Sequence, residues 1–226
     1  SPDLLMLGAI GMWICGAWVY IGGRTTPALN IGLIYAASPI LVVALGRRAQ
    51  FEFAVERWPY VIFFVGVTLT AAGSAYYHLA PDNETLFWDR LPMTIAFMGL
   101  VSSQVVERIS VRAGLILLGP VLLVGVASVA YWRITERAGI GNVVPYGVLQ
   151  GYSVVILLLL AVLKPSRYTH GKILYWVFAW YVLSKLLETY DTQVLAWSHL
   201  VSGHTLKHVA AAIAGEIYCE GQIAGR

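Results

Sequence analysis

The sequence predicts an all-α fold, a polytopic membrane bundle of about eight transmembrane helices, and three observations carry that prediction. Hydrophobic residues make up 58% of the 226 positions and charged residues only 12%, where a soluble domain carries roughly 25% charged residues. Apolar runs close to the ~20 residues needed to cross a hydrocarbon core recur along the whole chain. The breaks between them are short and marked by charge, proline or glycine, as in an up-and-down bundle.

In order, the first run, Leu4 to Gly22, is longer than a signal-peptide core, and the start on Ser1 instead of Met is what a processed or incomplete N-terminus would give. Gly23-Arg24 separates it from the second, 28–45, which stops at Gly46-Arg47-Arg48. The third, 58–80, ends before Pro81-Asp82-Asn83-Glu84, and the fourth, 90–107, opens on a proline-containing turn. Arg108 to Arg112 lead into the fifth, 113–132; Arg133 to Arg137 close it; the sixth, 143–163, ends at Lys164-Pro165-Ser166-Arg167. The seventh, 172–190, and the eighth, 203–219, complete the set. Residues 1–50 thus hold two N-terminal helices and 51–226 a six-helix region, within a single membrane domain.

Charge gives orientation and excludes one class of partner. Connections after the second, fourth and sixth runs, with the tail, carry Arg47, Arg48, Arg57, Arg108, Arg112, Lys164, Arg167, Lys172 and Arg226, against Arg24, Arg90, Arg133 and Arg137 opposite. The positive-inside rule then puts both termini in the cytoplasm. Cations scattered over helix ends form no patch for nucleic acid. Cys15 and Cys219 stand apart inside apolar runs, which indicates neither a disulfide framework nor CxxC metal chemistry.

Ionisable residues inside apolar runs are costly and call for an explanation. They collect at Ser74-Ala-Tyr-Tyr-His78, at Trp88-Asp89-Arg90-Leu91-Pro92 and at Ser202-Gly203-His204-Thr-Leu-Lys-His208. A spacing of four puts Ser74 with His78, and His204 with His208, on one helix face; two imidazoles so placed can chelate one metal ion. Singly, each group has a plain structural reading. His78 can be an interfacial hydrogen-bonding residue, Asp89 an N-cap, and Ser74 a hydroxyl bonded to its own helix. The HxxxH pair lacks the acid of the metalloprotease motif. Parity joins them: the third run ends, and the fourth and eighth begin, on the non-cytoplasmic side, so all five residues share one membrane layer. Three neutral imidazoles plus water are the open tetrahedral set of a catalytic zinc, with His78, His204 and His208 as ligands and Asp89 as outer-sphere partner or base. Ala210-Ala211-Ala212, Ala214 and Gly215 let the eighth helix approach its neighbours closely. Lys207 lies off the histidine face and is expected to snorkel or pair with an acid. Glu107, Glu188, Asp191 and Glu216, near the ends of runs, are expected to be interfacial.

At these residues the sequence resembles the alkaline ceramidase branch of the CREST superfamily of membrane hydrolases, which also contains the progestin and adiponectin receptors. That pattern is a serine and histidine four apart on one helix, an aspartate opening the next, and HxxxH on the last. Ser74, His78, Asp89, His204 and His208 stand in those places, and SAYYHLAPDNETLFWDRLPMTIAFM and LVSGHTLKHVAAA resemble bacterial alkaline-phytoceramidase-type proteins. The resemblance spans about residues 58–215 and implies a seven-helix core with one extra N-terminal helix, in a bacterial inner membrane. It departs at the N-terminus, where two runs precede the Ser/His helix and Gly22 to Asn30 contain no carboxylate, so no calcium site of the eukaryotic type is expected. It implies a zinc-dependent amidase acting on a ceramide-like lipid within the bilayer, with Asp89 as proton carrier and Ser74 as hydrogen-bond donor. The rival is a non-catalytic subunit or receptor that keeps zinc for structure and packs against partner membrane subunits. A haem protein is disfavoured because His204 and His208 on one face cannot reach both sides of one haem, and a retinal protein using Lys185 or Lys207 has less support still.

Overall fold

The computed structural model describes residues 53–168 and 171–224; the expected first two helices, 4–22 and 28–45, lie outside them. A 3₁₀ turn (Ala54–Glu56) leads into α1 (Arg57–Leu79), followed by α2 (Asn83–Arg108), α3 (Val111–Arg137), α4 (Val144–Leu163), α5 (Ile173–Thr189), the short α6 (Asp191–Ser198) and α7 (Gly203–Ala224). Six of these seven helices correspond to the six runs expected in this region.

The differences have local causes. α2 begins at Asn83 rather than 90 because Asp82 and Thr85 form a reciprocal capping box: Asp82 Oδ1 accepts from the Thr85 N–H at 2.6 Å and Thr85 Oγ1 from the Asp82 N–H at 3.1 Å. Pro92 is therefore internal to α2. α3 runs on to Arg137, carrying Arg133 and Arg137 to Glu84 of α2, with which both form ion pairs; Gly139 and Gly141, at φ 77° and 62°, then turn the chain. α6 occupies a stretch expected to be a connection, and His199 at φ 56° ends it in the left-handed conformation. α7 continues to Ala224, past the expected end at 219.

Helices α1 and α2 meet almost backbone to backbone. A Cβ on Gly66 would collide with the backbone of Ala96, one on Gly99 with that of Phe63, and one on Gly73 with the carbonyl of Trp88. Small residues in this role permit close helix approach where lipid supplies no hydrophobic drive. Pro92 lacks the N–H that would have bonded Trp88, four residues before it, so the carbonyl left without its helical donor is the one Gly73 packs against. Beside this pair, Tyr60, Phe63 and Phe64 of α1 form one core with Leu100 and Val101 of α2, Leu157 of α4 and Tyr218 of α7.

Beside that apolar core the interior holds a set of polar groups, while much of the surface is apolar. Ser102, Ser103, Gln104 and Glu107 of α2 are all buried, whereas Ile116, Leu123, Val162, Leu163 and Trp176 are exposed. Glu107 is thus not interfacial as expected. At 2% exposure it accepts from Ser166 Oγ at 2.5 Å and Gln104 Nε2 at 3.2 Å. Next to it Arg108 donates to the carbonyls of Lys164 and Gly171 at 2.7 and 2.8 Å, tying the α4–α5 connection to the end of α2. Polar groups paired inside the bundle, with large apolar side chains outside, are the arrangement lipid selects. By length and composition three helices, Ala54–Leu79 (α1 with its 3₁₀ turn), α3 and α4, are able to cross a membrane.

Candidate metal centre

His78 lies in the last turn of α1 and His204 and His208 in the first turns of α7, so two helix ends meet at one end of the bundle. His204 Nε2 is 3.2 Å from His78 Nε2 and 3.3 Å from His208 Nε2. One nitrogen from each of the three rings lies within 4.8 Å of the others, all three side chains being half-buried. The rings are steeply inclined, at 87° for His78 and His204 and 69° for His204 and His208, and present edges to a common point.

These distances fit metal ligation better than hydrogen bonding. Zinc–imidazole bonds of about 2.0–2.1 Å at tetrahedral angles place ligand nitrogens about 3.3–3.4 Å apart. A single ring nitrogen either carries one proton or offers one lone pair, so His204 Nε2 cannot make two good hydrogen bonds to the nitrogens on both sides of it. One cation satisfies all three. Among the described residues no further His, Cys, Asp or Glu joins the cluster, leaving a fourth tetrahedral position for water or a substrate oxygen.

The elements that aim the rings are partly ones the sequence reading passed over. Ser202 caps α7, its Oγ accepting from the Thr205 N–H at 3.1 Å and its carbonyl from the Leu206 N–H at 3.1 Å. Asp191, expected to be interfacial, accepts the His204 N–H at 2.6 Å and so fixes the backbone of a ligand. Gly203 makes room for this contact, since a Cβ there would meet the Leu187 carbonyl and the Asp191 backbone. The available sequence signals were an acid directly after the seventh run and a Ser-Gly step directly before the histidine.

Asp89 lies two turns inside α2. The capping role belongs to Asp82, which removes the N-cap reading of Asp89. The Ser74 side chain is its hydrogen-bonding neighbour, and the charges of Lys207, His78 and Arg90 act on it; Ser74 therefore faces across to α2. Gly73, next to Ser74, packs on Trp88 and Asp89, its Cβ position only 3.2 Å from the Asp89 Cα, and so sets the approach at which serine and aspartate meet. Lys207 pairs with an acid, as expected: its Nζ is 2.5 Å from Glu188 Oε1, while Lys185 holds the other oxygen at 2.8 Å. Glu188 is thus a half-buried acceptor of two ion pairs, not an idle interfacial acid.

All five residues singled out from the sequence therefore gather at one end of the bundle, with three of them able to hold a metal ion. A separate groove of about 620 Å³ lies between α2, α3 and α4, lined by apolar residues such as Val101, Val124 and Leu149, and does not include the histidines. Comparisons with family models, curated proteins and solved structures return no match.

Proposed function

We propose that this chain is a zinc-dependent intramembrane hydrolase that cleaves the N-acyl amide bond of a ceramide-like lipid. The observation that carries the reading is the convergence of three imidazole nitrogens, two of the pairs at 3.2 and 3.3 Å, beside the Ser74 and Asp89 pair in a bundle with an apolar exterior. The resemblance to the alkaline ceramidases, with five residues in family order, supports the choice of bond and substrate class. In this reading all six long helices, with the two runs before them, cross a bacterial inner membrane with both termini cytoplasmic, and the histidines lie toward the non-cytoplasmic side.

Held by His78, His204 and His208, zinc would supply a Lewis acid that polarises a carbonyl and makes water nucleophilic near neutral pH. The rest falls to side chains. Asp89 takes the proton from the attacking water and passes it to the leaving amine, a transfer worth about 10²–10⁴ in rate. Ser74 donates a hydrogen bond to the developing oxyanion, a contribution on the order of 3 kcal/mol. Glu188 and Asp191 do no chemistry; they hold Lys207 and the His204 backbone in place.

Metal analysis of the purified chain, coupled to release of fatty acid from a ceramide, tests this. One zinc per chain is expected, with turnover lost on chelation and restored by zinc. A stoichiometric zinc without hydrolysis of any lipid amide would favour a structural site in a membrane subunit. No zinc uptake at all would end the reading.

A further inference from the structure

Arg90 follows Asp89 by one residue and so points about 100° away around α2. Its guanidinium lies over the ring of Trp132 of α3 at 4.2 Å and near that of Tyr146 of α4 at 5.3 Å. Among the described residues it forms no ion pair, and its Nη1 is buried with no hydrogen-bond partner. The two other buried guanidinium groups are engaged, Arg108 by Gln104 and two carbonyls and Arg133 by the carboxylate of Glu84. The residue as a whole is half-buried, and it is the Nη1 end of the fork that is turned away from water. Asp89 lies within electrostatic reach of Arg90 but forms no ion pair with it. Tyr146, whose hydroxyl accepts from Gln150 at 2.6 Å, is within electrostatic reach of both Asp89 and Arg90, so the aspartate and the guanidinium flank one region.

Aromatic faces hold the charge in place without satisfying its N–H groups, and a buried donor without an acceptor requires an explanation. We infer that Arg90 anchors an anionic oxygen group, a carboxylate, sulfonate or phosphate, of the lipid whose amide is cut at the metal centre. The planar fork of arginine matches the oxygens of such groups. This inference rests on the hydrolase reading and narrows it: among N-acyl lipids, the reactants are those with an anionic group at Arg90, either on the amine-side head or as the carboxylate of the released fatty acid.

The zinc-loaded full chain in detergent is assayed on N-oleoyltaurine and N-oleoylethanolamine, which share acyl chain and amide but differ in head-group charge. Oleate and oleyl alcohol serve as matched inhibitors. If the head is the source, wild type prefers the taurine amide, and Arg90→Met lowers the ratio of the two kcat/KM values by about 10- to 100-fold, as expected for loss of a charge-assisted hydrogen bond. Arg90→Lys, which keeps the charge without the fork, recovers part of the ratio. If the product carboxylate is the source, the same loss appears instead in the ratio of oleate to oleyl alcohol inhibition. Should Arg90→Met change both members of each pair by one common factor, Arg90 is a packing residue for Trp132 and Tyr146 and the inference is overturned. Should wild type cleave neither of these amides nor a ceramide, the hydrolase reading fails first. Displacement of a fluorescent fatty acid by the uncleaved N-oleoyltaurine and N-oleoylethanolamine then decides: discrimination lost in Arg90→Met upholds the anion site, and discrimination retained rejects it.

Discussion

Gly73→Ala probes how closely α1 and α2 must approach for the site to work. The added methyl would overlap the Trp88 carbonyl and stand 3.2 Å from the Asp89 Cα. Both obstacles are backbone, which cannot rotate aside as a side chain would. The helices would have to part locally, and Ser74 and Asp89, each adjacent in sequence to a colliding residue, would separate with them. Alanine in place of glycine gains about 1 kcal/mol of helix propensity, and overpacking costs typically 1–3 kcal/mol, so the net change in stability should be small, between about 0 and 2 kcal/mol unfavourable. Activity should suffer far more, because a displacement of about 1 Å at a catalytic pair can cost about 10²-fold. Gly151→Ala in α4, where nothing lies within 4 Å of the new Cβ, supplies the control: the same propensity gain with no collision. Thermal unfolding in detergent, zinc affinity by competition with a chelator, and lipid-amide turnover would be measured on both variants. Wild-type turnover in Gly73→Ala, with melting as in the control, would refute the claim that this contact positions Ser74 and Asp89.

Three further outcomes are expected. Asp89→Asn should keep zinc and lose about 10²-fold or more in turnover, whereas His204→Ala should lose both; full activity in Asp89→Asn would remove the proposed base. Asp191→Ala deletes the acceptor of the His204 N–H and should cost about 1 kcal/mol, as for other lost caps, with zinc affinity weakened about 10-fold or more if it acts as outer-shell partners do; unchanged metal affinity on titration would reduce Asp191 to a helix-end residue. Cysteines placed at the exposed Pro81 and Pro165, in a background with Cys15 and Cys219 replaced, should react with an impermeant thiol reagent from outside and only from within, respectively; the reverse pattern would invert the proposed topology and leave the metal centre intact.

Several features of the described region are written in neighbouring residues. Apolar runs set six of its helices, because a chain that leaves water must satisfy its backbone within each segment. The spacing of four in Ser74 and His78, and in His204 and His208, fixes a shared face whatever the helix packs against. Even the start of α2 was local, in Asp82-Asn83-Glu84-Thr85, though with threonine in place of the usual Glu or Gln of a capping box. The tertiary structure decided the rest. That His78 meets His204 across 126 positions, that Glu107 is buried under Ser166, and that Asp191 holds the backbone of a ligand all depend on which helix faces which. In water a hydrophobic stripe reveals the inner face of a helix. In lipid the outer face is apolar too, so helices find each other through close backbone contacts and a few polar groups. Gly66, Gly73 and Gly99 are such contacts here, and a glycine in a sequence does not say which carbonyl will lie against it.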